Sequence, residues 1–217
     1  MLPQPIPALA FMEPQSYPFL IKNAVAPDVL DHVTSVTLQN WDLFKNNKTG
    51  DGSGRRFLVV DFVAPDRDRL LFDVKQELAA RYELGEYTVP PGLKDFINVI
   101  TEGGFIHPHT DPDEPGRRHV RINVIVKQTA GCLPLLDGVP IAVGRGDAWL
   151  NLASICKHST TPAEGPGYRS AISFGFQIGE QRGRELELIH RGWLANVGDE
   201  FGIDRVTGDD KPAANIL

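Results

Sequence analysis

Cysteine is nearly missing from this chain, with only Cys132 and Cys156 among 217 residues. Two thiols cannot build a disulfide framework, so both read as small buried residues and the expected setting is a reducing cytoplasm. Long apolar runs are missing too: no stretch approaches the roughly 18 residues of a membrane span. The opening MLPQPIPALAFMEPQ lacks the basic start of a secretory signal and is broken by proline. No membrane partner is expected. Positive charge is in deficit, 22 Lys and Arg against 28 Asp and Glu for a net charge of −6. That balance argues against nucleic acid as a partner, although Arg117, Arg118 and Arg121 form a local basic group.

Glycine (21) and proline (17) are in good supply. They punctuate many short segments instead of forming one block, which favours turn-rich β structure over a helix bundle. A chain of this length buries about 70% of its unfolded surface as one domain and needs no staple to hold a core.

Residues 1–94 carry N-terminal strands and supporting helices. After a Pro-rich start comes a strand-like Tyr17–Val25, then a helix opened by Pro27 and Asp28, with Val29, Leu30, Val33, Val36 and Leu38 on its apolar positions. Asn46–Gly54 reads as an exposed loop, Arg55–Val63 as a strand, and Pro65 or Asp66 to Arg81 as a second helix. Residues 95–178 change character. Asp95–Ile100, His119–Val126, Gly138–Val143, Asp147–Ala153 and Arg169–Ile178 are five strand candidates at short spacing. The segment 179–217 closes the chain, with Leu186, Leu188, Ile189, Trp193 and Leu194 at helix-like spacing.

The chemistry concentrates in GGFIHPHTDPDEPG, Gly103–Gly116. In an extended chain, residues two apart point to one side, so His109 and Asp111 can converge on one ion. A histidine from another strand would complete a 2-His-1-carboxylate face with open positions suited to Fe(II) and O2. Alone, the dipeptide reads more simply as a turn aspartate before Pro112 and a strand-end histidine. The context changes that. His158 lies downstream, and Arg169 opens the last apolar strand, where its fork could hold a ligand carboxylate. His107 shares the face of His109 and Asp111, so a His-x-His pair is a second way to bind metal there. His32 and His190 read as structural or surface residues, and His119 as a strand residue facing solvent or making a supporting hydrogen bond.

His109-x-Asp111, His158 and Arg169, in that order, resemble the Fe(II)/2-oxoglutarate-dependent dioxygenase superfamily over about Asp95 to Ile178. The resemblance implies a mainly β fold with supporting α-helices, a double-stranded β-helix (jelly-roll, cupin-like) core, and a single oxygenase domain over residues 1–217. It implies His109, Asp111 and His158 as iron ligands and Arg169 as the partner of the distal carboxylate of 2-oxoglutarate. The family often places a hydroxyl two residues after that arginine. Ala171 stands there in this chain, leaving Ser173 one pair further along, and Asn98 is the candidate from the preceding strand. Related halogenases lack the carboxylate, so Asp111 favours oxygen insertion.

The activity implied is hydroxylation of an unactivated C–H bond, consuming O2 and 2-oxoglutarate and releasing succinate and CO2. Alternation along His119–Val126 puts Arg121 and Asn123 on a polar face that either lines a pocket or meets solvent. Trp149, with Asn151 beside it, and His107 are further substrate candidates. A chain this short leaves little material for gripping a large partner, so a small molecule such as a free amino acid or natural-product intermediate is expected. Asn46–Gly54 and Asp111–Gly116 are the candidate lids. The alternatives are a peptidyl, prolyl-type hydroxylase, a cupin-like metalloenzyme independent of 2-oxoglutarate, and a non-catalytic jelly-roll.

Overall fold

The computed structural model describes residues 15–46, 54–61 and 68–197. The Pro-rich start, most of the Asn46–Gly54 loop and the expected start of the second helix lie outside them. Strand β1 (Leu20–Ile21) leads into helix α1 (Pro27–Gln39), followed by β2 (Lys45–Asn46) and β3 (Arg55–Val60). Helix α2 (Arg69–Arg81) and the short β4 (Tyr87–Thr88) come before the two long strands β5 (Asp95–Thr101) and β6 (Arg117–Lys127). Then come β7 (Ala130–Gly131), β8 (Pro134–Leu136), β9 (Val139–Pro140), β10 (Ala148–Asn151), β11 (His158–Thr160) and β12 (Ala163–Glu164). The last elements are β13 (Tyr168–Gly179) and helix α3 (Glu180–Val197).

The strands form two main layers. The larger sheet runs β1-β10-β6-β13-β5-β3-β2, with β4 also on β13, and the smaller runs β11-β8-β9. Neighbours in both are antiparallel. This is the jelly-roll architecture that the sequence implied.

Period-2 alternation decides which face of the large sheet does what. Ile97 and Val99 of β5, Val120, Ile122 and Val124 of β6, and Ile172, Phe174 and Phe176 of β13 point away from the small sheet and bury among the helices. There they meet Val29, Leu30 and Val33 of α1, Leu71 and Leu78 of α2, and Leu186 of α3. Each such side chain contributes about 1.5–3 kcal/mol when fully buried, so this layer carries much of the folding energy. The intervening residues Phe96, Asn98, Arg121, Asn123, Ala171 and Ser173 face the other way, into a cavity between the sheets.

Local signals explain the connections. Pro27 opens α1 where its missing N–H costs nothing. Asp68 caps α2 by accepting from the Leu71 N–H, and its other oxygen lies 2.8 Å from His32 Nε2, tying the two helices together. Asp137-Gly138, both at positive φ, make the two-residue turn between β8 and β9. Asp147 braces its own turn, accepting from Gly144 N at 2.7 Å, Asn23 N at 2.9 Å and Lys22 Nζ at 2.8 Å.

Several expectations shift. Tyr17–Val25 contributes only two residues of strand, and Gly138–Val143 only Val139–Pro140, with Ile141 turning to a parallel bridge with Gln15. The charged stretch from Glu180 begins helix α3 directly. His190, on that helix, is buried and bonded through Nε2 to Asp137 Oδ2 at 2.8 Å. His119 is also buried, at 3% exposure, so it does not face solvent. Among the described residues no helix is long and apolar enough to cross a membrane.

Candidate metal centre and its cavity

The segment carrying His109 joins the small sheet through His158. The two residues exchange both backbone hydrogen bonds, His158 N to His109 O at 2.9 Å and His109 N to His158 O at 3.2 Å. This antiparallel bridge places the imidazoles side by side, with ring centroids 4.3 Å apart. Two residues on, Asp111 N donates to Ala153 O at 2.7 Å, which holds the aspartate on the same side. Candidate ligand atoms of His109, Asp111 and His158 all lie within 4.8 Å of one another.

Proton placement follows from the neighbours. His109 Nδ1 lies 2.8 Å from the His107 carbonyl oxygen, and His158 Nδ1 lies 3.2 Å from that of Cys156. A carbonyl only accepts, so each Nδ1 carries the hydrogen and each Nε2 keeps its lone pair. His109 Nε2 faces Asp111 Oδ1 at 3.6 Å, too far for a hydrogen bond. Two imidazole nitrogens and one carboxylate on one face, beside the cavity, are a donor set that could hold a metal ion and that suits non-haem Fe(II). The backbone carbonyls behind the histidines are the outer support that metal-binding imidazoles require.

Asp111 is held ionised. Burial opposes its charge, but His158, Arg121, His119 and His109 together outweigh burial and keep its pKa below the usual carboxylate value. Arg121 Nε donates to Asp111 Oδ2 at 3.2 Å, and its Nη1 donates to Lys94 O at 3.2 Å. Its guanidinium lies 4.7 Å from the centre of the Phe96 ring. Asp113 fixes the loop after the ligand, accepting from His119 N at 2.8 Å and Arg118 Nη1 at 2.7 Å. The basic group seen in the sequence therefore divides: Arg121 turns into the site and Arg118 holds the loop.

Burial pulls His158 and His119 down to about 4, aided by His109 at the former and Arg121 at the latter. Both imidazoles are therefore neutral in the folded protein between pH 4 and 6.5 but charged in the unfolded chain. Below pH 6.5 the unfolded chain binds more protons, so stability falls with pH until the folded values are reached. The metal-free protein should lose stability steadily from about pH 6.5 to about pH 4. Urea midpoints across that range check this, and His119→Gln should flatten the slope. A midpoint independent of pH there would contradict it.

The centre opens into a cavity of about 740 Å³, lined by both sheets. This is large enough for two small molecules side by side. Arg169 stands on its wall, 2% exposed, level with Ile100 of β5 and with its guanidinium carbon 6.0 Å from the Trp149 ring centre. Burial lowers its pKa from the usual guanidinium value. Its Nε has no hydrogen-bond partner, and neither does Asn98 Oδ1 nearby on the same wall. These two buried polar groups in one cavity have hydrogen-bonding capacity that no protein group fills.

The other sequence candidates separate. Ser173 is buried on the cavity wall, opposite Phe96 and Asn123, with Arg121 Nη1 at 3.5 Å from its Oγ. Asn123 and Trp149 line the cavity, and Trp149 is also packed into the core. His107 lies at the rim, its ring against Phe105 and outside the triad; it serves through its carbonyl. Lys94, Phe96 and Arg55 also line the cavity and were not among the sequence candidates. Alternation backwards from Asn98 would have found Phe96 and Lys94, which share its face.

No family model matches the chain, and no curated protein does. Solved structures do. A prolyl-4-hydroxylase from Pseudomonas putida is 12% identical, with 74% of this chain and 91% of that one covered at a TM-score of 0.54. A prolyl hydroxylase from Trichoplax adhaerens, in complex with a hypoxia inducible factor peptide, is 16% identical over 76% and 84% of the two chains, TM-score 0.58. HygX from Streptomyces hygroscopicus, with nickel and 2-oxoglutarate bound, is 13% identical over 72% and 81%, TM-score 0.55. At these identities the likeness establishes a shared fold, the one the sequence resemblance implied.

Proposed function

We propose that this chain is an Fe(II)- and 2-oxoglutarate-dependent dioxygenase that hydroxylates an unactivated C–H bond of a small molecule. One observation carries the reading: a His109–Asp111–His158 face and a buried, uncompensated Arg169 share one cavity. The fold shared with HygX, whose structure holds nickel and 2-oxoglutarate, adds support.

Bound iron would supply O2 activation, coupling decarboxylation of 2-oxoglutarate to substrate oxidation. The protein's part is positioning. His109 and His158 present Nε2 because their Nδ1 hydrogens are committed to backbone carbonyls. Asp111 offers carboxylate oxygen while Arg121 restrains it. Arg169 would receive the distal carboxylate of the cosubstrate, a bidentate pairing strengthened by the dry surroundings. Asn98 and Ser173 stand on the same wall as further candidate contacts. Phe96, Ile106, Leu135 and Trp149 would limit water at the reacting centre.

Anaerobic addition of Fe(II) and 2-oxoglutarate should produce the visible charge-transfer band of the chelate, and succinate release should then report turnover. Arg169→Ala should raise the 2-oxoglutarate concentration required by about tenfold or more with Fe(II) binding retained. Absence of the band in the unaltered protein would overturn the proposal, and turnover indifferent to 2-oxoglutarate would select a cupin-like enzyme. A peptidyl substrate is the second reading, favoured by the fold shared with two prolyl hydroxylases. Succinate release with proline-containing peptides tests it.

A further inference from the structure

Among the described residues, Lys94, Arg121 and Arg169 line the cavity against a single lining carboxylate, Asp111. This reverses the balance of the chain, whose net charge is −6. The proposed occupants leave the imbalance as it is, because a divalent metal and a dianionic cosubstrate cancel. Arg169 is accounted for by the cosubstrate, so positive charge remains at the other end of the cavity.

Lys94 and Arg121 sit together there. The Lys94 carbonyl accepts from Arg121 Nη1 at 3.2 Å, and Lys94 precedes Phe96 and Asn98 on one strand face. Lys94 is exposed at the rim, and among the described residues no carboxylate pairs with it. Arg121 lies deeper, its side chain 12% exposed, with its plane restrained by the Phe96 ring and Asp111. Arg121 Nε and Nη1 are committed to Asp111 and Lys94 O, so its Nη2 hydrogens and the Lys94 ammonium are the donors at this end that can receive a small oxyanion.

On the reading that metal and 2-oxoglutarate occupy the site, we infer that the primary substrate is itself a small anion. Its carboxylate or phosphate group is received by Lys94 and Arg121, and the rest of the molecule extends toward His109, Asp111 and His158. A charged substrate fits this cavity better than a neutral one, because it offsets cations that the fold has already partly desolvated.

The test uses the anaerobic protein with Fe(II) and saturating 2-oxoglutarate, so that Arg169 is filled and the chelate band reports the metal reading without any substrate. Two matched sets of probes are titrated: N-acetyl-L-amino acids against their carboxamides, and sugar monophosphates against the parent sugars. Binding is read by the shift of the band and by calorimetry. At least one anion should bind about tenfold or more tightly than its neutral counterpart, with affinity falling as salt rises. Lys94→Glu should remove that preference and leave the band and the 2-oxoglutarate affinity unchanged. The arm that binds identifies carboxylate or phosphate. Equal binding of neutral counterparts, no anion bound in either set, or a preference that survives Lys94→Glu would each overturn the inference. A missing band in the unaltered protein overturns the metal reading, and this inference with it.

Discussion

Asp111→Ala should abolish succinate formation from 2-oxoglutarate while the chain still folds. Outer partners of metal ligands already matter by about 10–100-fold when removed, so loss of a ligand should exceed that range. The site makes this substitution more severe than the removal of one donor. Among the described residues Asp111 is the only carboxylate lining the cavity, and it restrains Arg121, whose side chain is 12% exposed. Without it, that guanidinium faces the two histidines with no counter-charge, and a divalent cation is repelled. Asp111→Asn keeps the shape and loses the charge, so it should fail nearly as completely. Fe(II) binding by calorimetry separates the causes: both variants should lose metal affinity, and circular dichroism should show the sheets intact. Succinate release at the original rate in either variant would refute the assignment.

The largest effect on stability is expected from Lys75. Its Nζ lies 2.7 Å from Asp95 Oδ2, with the two side chains 1% and 0% exposed, and it stands 5.0 Å from the centre of the Phe176 ring. Asp95 also accepts from Gly175 N at 2.9 Å, so one carboxylate ties α2 to β5 and β13. Burial pulls the Lys75 pKa down and pushes that of Asp95 up, each opposed by the partner. Lys75→Met removes one charge and strands the other, a change that costs about 3–5 kcal/mol. Domains hold only about 5–15 kcal/mol in total, so the variant should sit close to unfolding at 25 °C. Adding Asp95→Leu should recover part of the loss by removing the stranded charge. Recovery stays incomplete, because the Gly175 N–H then lacks its acceptor, at about 1–3 kcal/mol. Urea denaturation of the three proteins measures both steps. A Lys75→Met variant as stable as the parent would show that the pair contributes nothing.

The two expectations differ in how far the sequence foresaw them. Asp111 was legible because His-x-Asp, a distant histidine and an arginine on a later strand form an ordered pattern along the chain. Lys75 was not: the apolar positions read from this helix are Leu70, Leu71, Val74 and Leu78, and the lysine is not among them. Only the packing of α2 against β5 takes it out of water. The long strands β5, β6 and β13 were also legible, since seven to twelve residues allow alternation to show. The three-residue strands β8 and β11 were not, because so short a segment carries no period.

The sequence by itself determined the long strands, their alternating faces, and His109, Asp111, His158 and Arg169 as one set of candidate site residues. The tertiary structure decided what they share. It paired His109 with His158 across a backbone bridge, turned Arg121 onto Asp111, left His107 at the rim, and brought Lys94 beside Arg121. These depend on register between strands far apart in the chain, and register is set by how the whole core packs. Local patterns determine which way a side chain can point; only the packing of the two sheets determines what it meets.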